Sequence, residues 1–203
     1  MLCPNTTAAF SPKSKAEISS AVNACLVLSP EGDFSEDRHG PIGGWDVSSI
    51  TDMSNIFSDA KSFNGDISKW DVSNVNAMTA MFQGAASFNG DISKWDVSSV
   101  TDMHTMFNGA KMFSHDISKW DVSKVTNMIS MFQDTERFNG DLSKWDVSNV
   151  KNMNEMFYGA KAFNCDISKW DVLTVTNMNG MFWGSSAFNG VLSKWDVSSV
   201  TNL

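Results

Sequence analysis

The chain has 203 residues, a formal net charge of −8, 42% hydrophobic residues and 19% charged residues. That length suits one domain of ordinary size or one repeat array, with enough apolar content to fill a substantial core. The acidic balance disfavours nucleic acid and anionic membrane as partners, and no run of about 20 apolar residues is present to span a bilayer.

The start, Met1-Leu2-Cys3-Pro4-Asn5-Thr6, has neither the basic nor the apolar region of a secretory leader. The expectation is a protein that does not use that route, or a chain that begins after its leader. Ser14-Lys15-Ala16-Glu17 reads as a capping box. Ile18, Ala21, Val22 and Cys25 come next at helical spacing, and Pro30-Glu31-Gly32-Asp33 reads as a turn. Residues 1–44 are therefore expected to form an N-terminal cap whose amphipathic helix lies over the first coil of a repeat array. Cys3, Cys25 and Cys165 do not make a disulfide framework or a metal spacing. Cys3 and Cys25 share the cap, and free thiols are the preferred reading over a pair.

From Trp45 the chain repeats every 25 residues. Trp recurs at 70, 95, 120, 145, 170 and 195, each followed by Asp and Val. Met53, Phe57, Phe63 and Ile67 each begin a column of their own, and no insertion breaks the register. Identical residues at a fixed period mean that each unit meets the same neighbours, which is the condition for a solenoid. Within one unit, Trp95 and Val97 alternate around Asp96 as one face of a short strand does. Val100, Met103, Phe107 and Ala110 then come at spacings of three, four and three, a helical stripe of at most about three turns. The predicted architecture is an α/β solenoid: a leucine-rich-repeat-like, right-handed coil of strand-plus-short-helix repeats. Residues 45–203 hold six full repeats and a partial seventh. The last unit has no polar cap after Leu203, so the expectation is truncation, or end-to-end self-association through residues around Trp195 to Leu203.

No catalytic set stands out. His39, His104 and His115 occupy unrelated places, and no nucleophile has a base and an orienting group beside it. Departures from the repeat are scattered and conservative, which points away from an enzyme. Two Asp columns, Asp46 to Asp196 and Asp66 to Asp166, stack like charges and need compensation. Ca²⁺ between coils is one reading. The preferred reading is structural: the Asp after each Trp accepts backbone N–H groups, and the other column pairs with Lys69, Lys94, Lys119, Lys144, Lys169 and Lys194. The glycine-rich nonapeptide of Ca²⁺-loaded β-rolls is missing, so no metal or cofactor is predicted. The slot after Phe82 and its equivalents varies: Gln83, Asn108, Gln133, Tyr158 and Trp183. It is expected at the surface and is the candidate ligand face, with Tyr158 and Trp183 able to contact glycan or protein. An ice-binding Thr column is disfavoured because Asn76 and Lys151 interrupt Thr51, Thr101, Thr126, Thr176 and Thr201.

The unit Phe88-Asn89-Gly90-Asp91-Ile92-Ser93-Lys94-Trp95-Asp96-Val97, with its Val-x-x-Met-x-x-Met-Phe-x-Gly-Ala run from Val100 to Ala110, resembles the BspA-type leucine-rich-repeat surface proteins. It resembles more closely the repeat of many mycoplasma, bacterial and microalgal proteins of unknown function. The resemblance covers residues 41–203. It implies a leucine-rich-repeat-like solenoid, often extracellular or on the cell surface, with interaction or adhesion roles and no catalytic residues. The functional expectation is a non-catalytic scaffold for protein–protein interaction or adhesion. The alternative is a glycan- or Ca²⁺-binding structural solenoid.

Overall fold

The computed structural model describes residues 9–32 and 38–203. Among these residues one helix, α1, spans Lys15–Leu28, and a single 3₁₀ turn covers Ile42–Gly44. Ser14 Oγ accepts the Glu17 N–H at 3.2 Å, so the N-cap forms as its residue type dictates. Glu17 returns to the Lys13 N–H at 2.8 Å and not to that of Ser14. Ile18, Ala21, Val22 and Cys25 are the buried face of α1. Cys3 lies outside the described residues. The N-terminal segment is tied to the first unit by Asp46 N–H to Phe10 O (2.9 Å), Ser49 Oγ to Pro12 O (3.0 Å) and Lys15 Nζ to Asp52 Oδ2 (2.8 Å).

Residues 45–203 form a stack of 25-residue units in strict register. The Phe57 column runs through Phe82, Phe107, Phe132, Phe157 and Phe182 with ring centroids 5.5–5.8 Å apart. The Phe63 column stacks alongside, and the two touch within each unit, for example Phe107 on Phe113 at 4.1 Å. Phe and Met columns from Met53 to Phe163 have no exposed surface. Burying each such side chain contributes about 1.5–3 kcal/mol. The Trp side chains also share one environment. Trp95 packs on Phe82 at 6.2 Å, and its Nε1–H donates to Ile67 O at 3.2 Å; the same donation recurs at Trp120, Trp145 and Trp170. A polar indole N–H in a dry core needs that acceptor. Trp70 uses Ile42 O at 2.9 Å, so Ile42, three residues before the expected boundary at 45, already stands in the Ile column.

Inside a unit the structure differs from the sequence expectation. Neither the strand at Trp95–Val97 nor the helix over Val100–Ala110 forms; the segment is a run of turns with a single bridge residue, Asp102, paired in parallel to Ala77 and to Asn127. Met106 N–H bonds Met103 O and Ala110 N–H bonds Phe107 O, at 3.1 and 2.9 Å. The third residue of each turn is left-handed, Thr105 at φ 53° and Gly109 at φ 70°, as in type II turns. That conformation rotates the middle peptide onto the stacking axis. In the unit before, Thr79 O accepts Asn55 N–H at 3.0 Å while Ala80 N–H, in the same peptide, donates to His104 O at 2.8 Å. The Gln83–Gly84 peptide does likewise, accepting from Asp59 and donating to Asn108, both at 2.7 Å. Hydrogen bonds that a helix would spend along its own axis here join neighbouring units. The three-four-three spacing is real, because Val100, Met103, Phe107 and Ala110 all face inward; consecutive three-residue turns return side chains to one side at nearly the helical interval.

Candidate recognition surface

Two kinds of surface result. On the constant side, polar groups are consumed by the backbone. Asp71 Oδ1 accepts the Ser73 N–H at 3.1 Å and its hydroxyl at 2.6 Å. Asp96, Asp121 and Asp146 accept the N–H two residues on at 3.0 Å. The second column behaves identically: Asp66, Asp91, Asp116, Asp141 and Asp166 each cap the Ser two residues ahead at 2.8–3.0 Å. These hydrogen bonds hold the carboxyls of Asp66, Asp91, Asp96, Asp116, Asp121, Asp141 and Asp166 below the usual carboxylate range. The expected pairing of this column with the Lys three residues on does not form. Among the described residues the ion pairs are instead Lys15–Asp52, Lys111–Glu136 and Lys161–Glu136. A local Asx turn fixes the carboxylate against its own backbone, and an exposed Lys gains little from joining it.

A third column, missed in the sequence, is made of asparagines. Asn64 Oδ1 accepts the Asn89 N–H at 2.8 Å, Asn89 Oδ1 the Ser114 N–H at 2.9 Å, and Asn139 Oδ1 the Asn164 N–H at 2.8 Å. Recurrence of an exposed Asn just before Gly or a small residue was its signal.

The other side varies from unit to unit. The candidate residues Gln83, Asn108, Gln133 and Tyr158 are half-buried and not fully exposed; Trp183 alone is 71% exposed. They are the second residues of the type II turns, and the peptides after Gln83, Asn108, Gln133 and Tyr158 are bonded to both neighbouring units. Sequence reasoning overlooked the companion slot at the preceding turn, Thr79, His104, Ile129, Asn154 and Asn179, also half-buried. Its signal was variation between the constant pairs Met78/Met81 and Met103/Met106. Across this stripe the side chains of Thr79, Gln83, His104, Asn154 and Tyr158 make no hydrogen bond within the described residues. Asn108 and Gln133 join each other, Nδ2 to Oε1 at 2.8 Å. Trp183 lines an open apolar recess of about 500 Å³ with Met178, Met181, Phe182 and Trp195. No group of three or more His, Cys, Asp or Glu side chains converges among the described residues. Burial pushes up the pKa of the Cys165 thiol, whose Sγ accepts the Leu142 N–H at 3.1 Å.

The family model described as Mycoplasma protein of unknown function, DUF285, matches the chain twice, over residues 32–139 and 112–203. The chain belongs to this family. The two overlapping matches cover the whole stacked region, as a repeat with a fixed period requires, and reach back into the segment holding Ile42. No curated protein matches the chain. No helix among the described residues is long and apolar enough to cross a membrane.

Proposed function

We propose that this family member is a non-catalytic repeat scaffold, a leucine-rich-repeat-like solenoid whose variable stripe serves in interaction or cell-surface adhesion. One observation carries the reading. Asp and Asn side chains on the constant side are spent on holding the backbone, whereas polar side chains on the varying side from Thr79 to Tyr158 are held half-buried with no backbone to hold, bonded at most to each other as Asn108 is to Gln133. Residues that differ between otherwise identical units are not needed for stacking, so they are free to encode recognition. The bonded peptides beneath them supply preorganisation, which lowers the ordering cost of binding. The resemblance to BspA-type surface proteins points the same way.

The experiment arrays extracellular proteins and glycans and probes them with the intact chain. A variant carrying Gln83→Ser, Asn108→Ser, Gln133→Ser and Tyr158→Asn is expected to keep its melting temperature within a few degrees and lose the hits. A variant carrying Lys94→Ser, Lys119→Ser and Lys144→Ser, on the constant side, is expected to keep them. Loss of binding in the lysine variant alone would overturn the assignment.

A further inference from the structure

We propose that the stripe takes uncharged carbohydrate, an extended neutral polysaccharide lying along the stacking direction. This rests on the recognition reading above and names its partner. The functional groups come first. Thr79, Gln83, Asn108, Gln133 and Asn154 present hydroxyl and amide groups without formal charge, and Tyr158 adds an aromatic ring. The Asn108–Gln133 bond uses one donor and one acceptor, leaving Asn108 Oδ1 to accept and Gln133 Nε2 to donate. Neighbouring hydroxyls of a sugar ring both donate and accept, so a fixed amide pair offering one of each is complementary to them. Tyr158 is half-buried, and the unit after it carries Gly180 beside the ring, where a Cβ would stand 4.0 Å from Tyr158 Cδ2. The missing side chain leaves that part of the ring open to the C–H face of a sugar.

Charge excludes the alternatives. Around the stripe, Lys111 and Lys161 are both spent on Glu136, at 3.1 and 3.6 Å. Glu155 accepts from Ser130 Oγ at 3.4 Å. A chain of net charge −8 repels an anionic polymer. Protein interfaces concentrate their energy in desolvated aromatic and Arg anchors, and the stripe from Thr79 to Tyr158 has no Arg, no Trp or Phe, and only Tyr158 and the His104 imidazole as rings. Geometry favours a polymer over a single sugar: equivalent slots recur with the unit repeat, whose Phe rings lie 5.5–5.8 Å apart. The residues of an extended β-linked chain advance by a similar step, so successive sugars meet successive units.

The test is affinity electrophoresis of the intact chain in gels holding hydroxyethyl cellulose, laminarin, mannan or xylan, with alginate and heparin as charged controls. Retardation by at least one neutral polymer, with none by alginate or heparin, is the expected result. Asn108→Ala with Gln133→Ala, and separately Tyr158→Asn, are expected to weaken it at least tenfold. Asn already occupies the Tyr158 slot at position 108, so the second variant remains folded, and circular dichroism checks both. Retardation by the charged polymers only, or retardation that the variants leave intact, overturns the proposal. Failure with every neutral polymer also overturns it. In that case a stripe-dependent protein hit on the array leaves the recognition reading standing, and its absence removes both.

Discussion

Left-handed turn residues make the sharpest prediction, because two glycines in one column differ in one respect only. Gly84 and Gly109 have φ of 68° and 70°. A Cβ at Gly109 would meet nothing closer than 3.6 Å, whereas at Gly84 it would lie 2.5 Å from Asp59 Oδ1. Gly109→Ala therefore carries the left-handed penalty alone, about 1–2 kcal/mol, reduced by about 0.4–1 kcal/mol through the stiffer unfolded chain. Gly84→Ala carries the same cost plus that of displacing the exposed Asp59 carboxylate from its rotamer, about 0.5–1.5 kcal/mol. Asp59→Ala removes the offending oxygen, so the double variant Asp59→Ala/Gly84→Ala is expected to recover most of the excess, a coupling of about 0.5–1.5 kcal/mol. Gly159 meets Asp134 in the same way and serves as an internal repeat of the experiment. Urea unfolding followed by tryptophan fluorescence reads the differences. Equal losses for Gly84→Ala and Gly109→Ala, or a cycle with no coupling, would refute the claim that close axial stacking of these turns selects the glycines.

The ladders give three further expected outcomes. The asparagine column breaks where Ser114 precedes Asn139, whose N–H has no partner among the described residues; Ser114→Asn is expected to stabilise by about 0.5–1.5 kcal/mol in the same urea assay. Asp66, Asp91, Asp96, Asp116, Asp121, Asp141 and Asp166 have carboxyls held low by their Ser partners, so the stability they contribute is complete above the ordinary Asp range and drains as pH falls through the lowered folded values. The urea midpoint should stay flat above about pH 5 and decline below about pH 4. Asp96→Asn with Asp121→Asn keeps the acceptor without the titration and should flatten that decline. A chelator is expected to leave the melting temperature unchanged, since each Asp in these columns already caps a backbone N–H; a fall of several degrees in calorimetry would restore the reading of Ca²⁺ between units.

The inward residues were legible because a stacked repeat writes its core in the plainest form, with the same side chain at the same place every 25 residues. Phe107, Met103 and Val100 could be placed inside without knowing how the chain reaches them. The local conformation was not legible from the same signal. A helix and a series of type II turns both return side chains to one side at intervals of three and four, and at Thr105 the sequence carries a residue that ordinarily avoids positive φ. What decides between them is where the N–H groups find acceptors, and those acceptors belong to the next unit. The variable stripe was half visible: Gln83, Asn108, Gln133, Tyr158 and Trp183 announced themselves by differing, but Thr79 and Asn154 joined them only once the turns showed which neighbouring slots share the surface.

Amino-acid order alone was enough for the period, the identity of the buried columns and the helical segment at the N-terminus, because each of these depends on local pattern and hydrophobicity. Two features needed the folded chain: the backbone bonds between units and not along a helix, and the Asp66 to Asp166 column bonds to its own Ser residues and not to Lys. Bonds between units are set by stacking geometry, which no spacing within a single unit records, and an Asp facing both its own turn and a Lys takes the local backbone N–H, which needs no ordering of a long side chain.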